Sequence, residues 1–141
     1  MTFRGGIKEA AKLLTGLDPE GRVRVLELIA QKNPEIAELL KKNIVQMSDL
    51  SLMTPKMLTE FMGWVDTSVL ALALKIESDE LIKFFTDQVS SGIKRDILDV
   101  LNGPKVEKSK VLEAQDKILT LVRDKIDQGK LVLKKDNEQY V

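Results

Sequence analysis

Oppositely charged side chains four residues apart recur in this chain: Arg95 with Asp99, Glu113 with Lys117, and Arg123 with Asp127. On one face of a helix each pair can form a local ion pair worth about 0.3–0.5 kcal/mol. That chemistry is charge contact, not bond making. The 141 residues include no His and no Cys. Their absence excludes a Ser-His-Asp or Cys-His nucleophile pair, a thiolate metal site, His-ligated zinc and a disulfide framework. A carboxylate or lysine working as a general base near neutral pH would need strong help from its surroundings. Gly5-Gly6 precedes a helical pattern but lacks the Lys-Ser/Thr that completes a phosphate loop. No cofactor, metal or small-molecule substrate is expected, and the chain reads as a non-enzyme.

The charges balance at 22 basic against 22 acidic. They are spread so evenly that no basic segment suited to nucleic acid emerges. The most apolar stretch, Trp64 to Leu74, is interrupted by Asp66 and is too short to span a bilayer, and the N-terminus lacks a signal-like apolar core. A cytoplasmic protein is the expectation. Trp64 beside Val65, in this apolar stretch, reads as core.

Helices must position whatever the charges do. Asp18-Pro19, Asn33-Pro34 and Thr54-Pro55 each set a capping oxygen before a proline, which is a helix-start pattern. Asn102-Gly103-Pro104 reads as a helix stop. Between these marks, apolar residues recur at three and four, and strand alternation appears nowhere at length. The spacing predicts helices over about 6–15, 19–31, from Pro34, and from Pro55 to Gly63. Further helices are capped by Thr67 or Ser68, by Ser78, by Ser90 and by Ser109, the last and longest closing at Gly129. Leu131 to Leu133 read as extended or strand-like, and Asp136 to Val141 as a fraying tail. The fold class is all-α.

Residues 44–53 are apolar but broken by Ser48, Asp49 and Ser51. They read as a connector, with a passive link and a functional hinge both open. The organisation is then a helical unit over 1–43, a connector over 44–53, a helical bundle over 54–133 and a tail over 134–141. The first unit is small for independent folding, and its helix pairs look like one armadillo-type layer. Such a layer exposes an apolar face unless something stacks on it. Ile7, Ala11, Leu14, Val25 and Ile29 are the candidates for that stacking surface, against the bundle or against a second chain.

The run Val65-Asp66-Thr67-Ser68-Val69-Leu70-Ala71-Leu72-Ala73-Leu74-Lys75 resembles the C-terminal domain of the flagellar rotor switch protein family, FliG. Gly103-Pro104, then Val111-Leu112-Glu113-Ala114-Gln115, then Gln128-Gly129-Lys130-Leu131-Val132 follow in the family's order. Upstream, Gly5-Gly6, Leu17-Asp18, Asn33-Pro34-Glu35-Ile36-Ala37-Glu38 and Asp49-Leu50 are similar to its preceding armadillo-like unit. The resemblance covers about residues 3–133. It implies the family's last armadillo-like unit joined by a hinge, Ile44-Val45-Gln46-Met47, to a C-terminal helical domain.

The resemblance also implies a role. In the family, a ridge of charged side chains meets oppositely charged residues of the membrane stator, and torque passes through that contact. Lys75 matches the ridge lysine and Asp99 the first acid of an acidic pair, whose second acid is Val100 here. The family's arginine on that helix falls at Gly92, with Lys94 and Arg95 close by. The last ridge arginine falls near Lys105, Glu107 and Lys108. The implied partners are a MotA-like stator cytoplasmic loop and other rotor switch proteins, FliG and FliM-like, with possible self-association. The implied place is the cytoplasmic side of the inner membrane, at the flagellar basal body. The alternative is a short paralogue that stacks on a full-length rotor protein and generates no torque.

Overall fold

The structure, a computed structural model, describes residues 6–133. The chain divides into two compact units, one ending at Gln46 and one beginning at Met47. Among the described residues every regular element is helical, so the fold is all-α. The tail expected over 134–141, and Gly5 of the Gly5-Gly6 pair, lie outside the described residues.

Three helices build the first unit: α1 (Gly6–Thr15), α2 (Pro19–Lys32) and α3 (Pro34–Asn43). Prolines at the helix starts act as the sequence predicts. Asp18 accepts from the Gly21 amide at 3.2 Å and Asn33 from the Ile36 amide at 3.2 Å, each meeting a donor that has no partner inside its helix. Ala11, Leu14, Leu40 and Ile44 form the core, with Ile7, Val25, Leu26, Ile29 and Ile36 packed against it. The stacking set is therefore corrected: Ala11 and Leu14 are buried inside their own unit, and Ile7, Val25 and Ile29 line the same core. Amphipathic spacing finds the face a helix buries, but it does not say against what. The apolar side chains this unit exposes are others, among them Leu13 at 76%, Leu28 at 61%, Val23 and Leu39.

The second unit opens with a 3-10 turn, Met47–Leu52, followed by α4 (Pro55–Trp64) and α5 (Thr67–Ala73). A second 3-10 turn, Leu74–Ile76, leads to α6 (Asp79–Thr86), α7 (Ser91–Leu101) and α8 (Lys108–Asp127). Short α5 is the centre, packed against α7 and α8 with Leu70, Ala71, Ala73 and Leu74 fully buried. Its small alanines let neighbouring helices approach closely, while Phe61, Phe85, Ile97, Ile118 and Val122 fill the surrounding space. Each large apolar side chain so buried contributes about 1.5–3 kcal/mol. No single helix among the described residues is long and apolar enough to cross a membrane.

Several boundaries differ from the sequence reading. The cap of α5 is Asp66, which accepts from the Ser68 amide at 2.8 Å, and not Thr67 or Ser68. The carboxylate reaches the free amides from one residue further back. Asp66→Ala is expected to cost the second unit about 1 kcal/mol in chemical denaturation, and Asp66→Asn much less. α8 begins at Lys108 after Glu107, whose side chain makes no capping bond, so Ser109 is inside the helix. Gly129 closes α8 as expected, with φ +73° and the Lys130 amide donating to the Lys125 carbonyl at 2.9 Å. Leu131 to Leu133 form no strand; Leu131 is buried. Trp64 is half-buried rather than core, with the Lys125 ammonium 4.6 Å above its ring centroid.

Candidate functional site

Lys75 lies on the 3-10 turn that follows α5, a placement that follows from the apolar run ending at Leu74. Its ammonium donates to the Pro104 carbonyl at 3.2 Å, across 29 residues of sequence. That acceptor is presented by a tight exit from α7. A Cβ on Gly103 would sit 3.0 Å from the Asp99 carbonyl oxygen, a tight contact that a larger residue would have to relieve by a small shift of the helix end. The Lys75–Pro104 bond thus sets Lys75 beside the backbone that leads directly into Lys105. Because the acceptor is a neutral carbonyl, the positive charge of Lys75 stays uncompensated.

α7 supplies the remaining charges. Its apolar face, centred on buried Ile97, turns toward the core, while Lys94, Arg95 and Asp99 are exposed. Among the described residues no ion pair within 4.0 Å joins Arg95 to Asp99, and none engages Lys75, Lys94 or Lys105. The local pair expected for Arg95 and Asp99 is thereby corrected: at an exposed site its small Coulomb gain does not hold the long Arg95 side chain in one geometry. Arg123 and Asp127, by contrast, lie 4.0 Å apart with Arg123 buried. The structure joins Lys75 to the turn before Lys105 and places Lys94, Arg95 and Asp99 on the helix that packs against α5.

The other named residues fall elsewhere. Ile44 ends α3, its amide donating to the Leu40 carbonyl at 2.9 Å, and belongs to the first unit's core. Val45 is buried and Gln46 exposed, while buried Met47 opens the first 3-10 turn of the second unit.

Two residues of consequence escape sequence reasoning. Gln115, 7% exposed on the apolar face of α8, donates to the Ala73 carbonyl and to the Glu77 carboxylate, both at 2.8 Å. The one signal was a glutamine on an otherwise apolar stripe. Arg22, also buried, donates to the Leu14, Thr15 and Leu17 carbonyls at 3.2–3.4 Å. A groove of about 330 Å³ runs between α4 and the start of α7, lined by Leu58, Met62, Val89 and Ile93. No group of three acidic side chains among the described residues is placed to hold a metal ion.

Comparison with known proteins places this arrangement. Residues 27–133 match the FliG C-terminal domain. The flagellar motor switch protein FliG of Thermotoga maritima is 31% identical over 132 residues, covering 92% of this chain and 39% of that protein. The Aquifex aeolicus protein of the same name is 28% identical, covering 89% of this chain and 39% of its own length. The chain thus spans about two fifths of these relatives. The full-length FliG structure from Aquifex aeolicus superposes with a TM-score of 0.58 at 27% identity, over 90% of this chain and 40% of that one. The fold is shared with FliG residues 86–343 from H. pylori, at a TM-score of 0.65 and 21% identity, over 88% and 59% of the two chains. The matched segment, the order of its motifs and the helical architecture agree, and the chain belongs to the FliG C-terminal domain family.

Proposed function

We propose that this chain is a flagellar rotor switch component whose second unit offers Lys75, Lys94, Arg95, Asp99 and Lys105 as a charged ridge to a stator's cytoplasmic loop. It would act at the cytoplasmic side of the inner membrane. The observation that carries this reading is the Lys75–Pro104 bond at 3.2 Å, which draws the lysine of one family motif against the Gly-Pro turn of another. Lys94, Arg95, Asp99 and Lys105 are exposed and Lys75 is half-buried, and charges not paired with each other remain available to an opposing surface. Their work is electrostatic steering and reversible contact, fast to form and weakened by salt. No bond is made or broken. Ile44, Val45, Gln46 and Met47 would serve as the hinge, in an organisation of a unit over 1–43, a connector over 44–53 and a domain over 54–133.

The test is binding of the full chain to the stator loop, measured at two salt concentrations. Reversing charge at Lys75 together with Asp99 (Lys75→Glu, Asp99→Lys) should weaken binding about tenfold at low salt and flatten its salt dependence. Unchanged affinity and unchanged salt slope would sink the ridge assignment.

A second reading has its own observation. Leu13, Val23, Leu28 and Leu39 are exposed on the first unit, and apolar surface of this kind suits stacking on another armadillo-type layer. The chain would then be a structural or regulatory adaptor on a longer rotor protein, generating no torque. Light scattering of the chain mixed with full-length FliG separates the two: co-migration that Leu28→Glu abolishes supports the adaptor, and a monomer that ignores the partner removes it.

A further inference from the structure

We propose that Gln115 is the positioning residue of the charged ridge, acting on Lys75 through the 3-10 turn Leu74–Ile76. This rests on the ridge reading given above. The turn is short, with its own closing bond from the Glu77 amide to the Leu74 carbonyl at 3.0 Å. A single turn of this type is weak by itself. Gln115 grips it from both ends, donating to the carbonyl of Ala73 just before it and the carboxylate of Glu77 just after it, each at 2.8 Å. Both bonds leave the one Nε2 atom, so both amide hydrogens are committed.

This demand is specific. Glutamate at 115 would have no hydrogen to give at neutral pH and would face Glu77 as a like charge. Methionine would match the shape and give neither bond. A glutamine among Val111, Ala114 and Ile118 is tolerable only while its polar atoms are satisfied. The bonds span 42 and 38 residues, so they tie α8 to the turn and not to its own helix. Lys75 is held on the opposite side by Pro104. The turn is thus fixed from within by Gln115 and from the surface by Lys75, and losing the inner grip frees the outer one. Glu77, drawn to α8 by the same amide, is also kept from wandering over the ridge.

The experiment compares the full chain with Gln115→Met, Lys75→Gln and the double variant. Amide hydrogen exchange and binding of a short poly-glutamate peptide at low salt are both measured. Gln115→Met should speed exchange at residues 74–77 about tenfold, the scale of one to two lost buried hydrogen bonds, and leave the middle of α8 within about twofold. It should weaken peptide binding as much as Lys75→Gln does, and the double variant should lose no more than either single one. Exchange that rises evenly across the second unit, or losses that add in the double variant, overturns the positioning role. If wild type ignores the peptide, or Lys75→Gln leaves binding unchanged, the ridge reading falls while the exchange data still decide the role of Gln115. Should Gln115→Met not fold, Glu77→Ala removes one acceptor without opening a core cavity. About threefold faster exchange at 74–76 is then expected, and unchanged exchange there overturns the proposal.

Discussion

Phe85→Ala is expected to lower the stability of the second unit by about 3–5 kcal/mol, a large part of what a domain of this size has. Phe85 is fully buried. Its ring meets Phe84 edge to face with centroids 5.3 Å apart, and lies 6.0 Å from the ring of Phe61 on α4. α6 has only eight residues, too few to persist as a helix without tertiary packing. Removing its anchor would therefore free the whole element and open a cavity against α4, which lies next to it. α6 also packs against α7, which bears the Lys94, Arg95 and Asp99 of the proposed ridge. The measurement is denaturant unfolding followed by fluorescence of Trp64, the single tryptophan, which reports on this unit alone. Phe85→Leu, which keeps most of the volume, should lose about half as much. A loss below about 1 kcal/mol for the alanine variant would mean that α6 is not held as the structure has it.

Arg22→Met is expected to cost the first unit about 2–4 kcal/mol. Three carbonyls at the end of α1, those of Leu14, Thr15 and Leu17, receive the Arg22 guanidinium. The Leu14 carbonyl also accepts from the Leu17 amide at 3.1 Å, and the carbonyls of this last turn carry the negative end of the helix dipole. A cation there gains both charge-assisted bonds and favourable dipole interaction. Methionine keeps the apolar stem but leaves the carbonyls to find water in a site where Arg22 is only 8% exposed. The unit has three short helices and little stability to spare. Hydrogen exchange at the amides of α1 and α3 is the measurement: it should rise by more than tenfold, while α5 amides stay as they were. Arg22→Lys should recover less than half, because a compact ammonium lacks the spread of donors by which Nε and Nη2 of the planar guanidinium reach the three carbonyls. Equal protection in wild type and Arg22→Met would contradict the capping role.

Helix content and the places where helices begin were legible because their causes are local. Asp18, Asn33, Thr54, Ser78 and Ser90 all accept the amide bonds that cap residues should. Thr67 and Ser68 were the expected caps of α5 and the cap is Asp66, a choice that depends on backbone angles that spacing does not specify. The motifs that carry the family resemblance were readable for the same reason: they are contiguous.

What spacing left open was the partner of each face. Ile7, Ala11, Leu14, Val25 and Ile29 make a proper apolar stripe, yet the same stripe serves a unit's own core or a second chain equally well. Only packing showed that they meet Leu40 and Ile44, leaving Leu13 and Leu28 outside. The missing His and Cys excluded imidazole and thiolate sites from composition alone. Which charges stand together is a different matter. Lys75 reaches Pro104 across 29 residues and Gln115 reaches Ala73 across 42, and bonds of that reach have no signature in local pattern. They exist because α5, α7 and α8 close on one another, so tertiary packing decided what Lys75 and Gln115 touch.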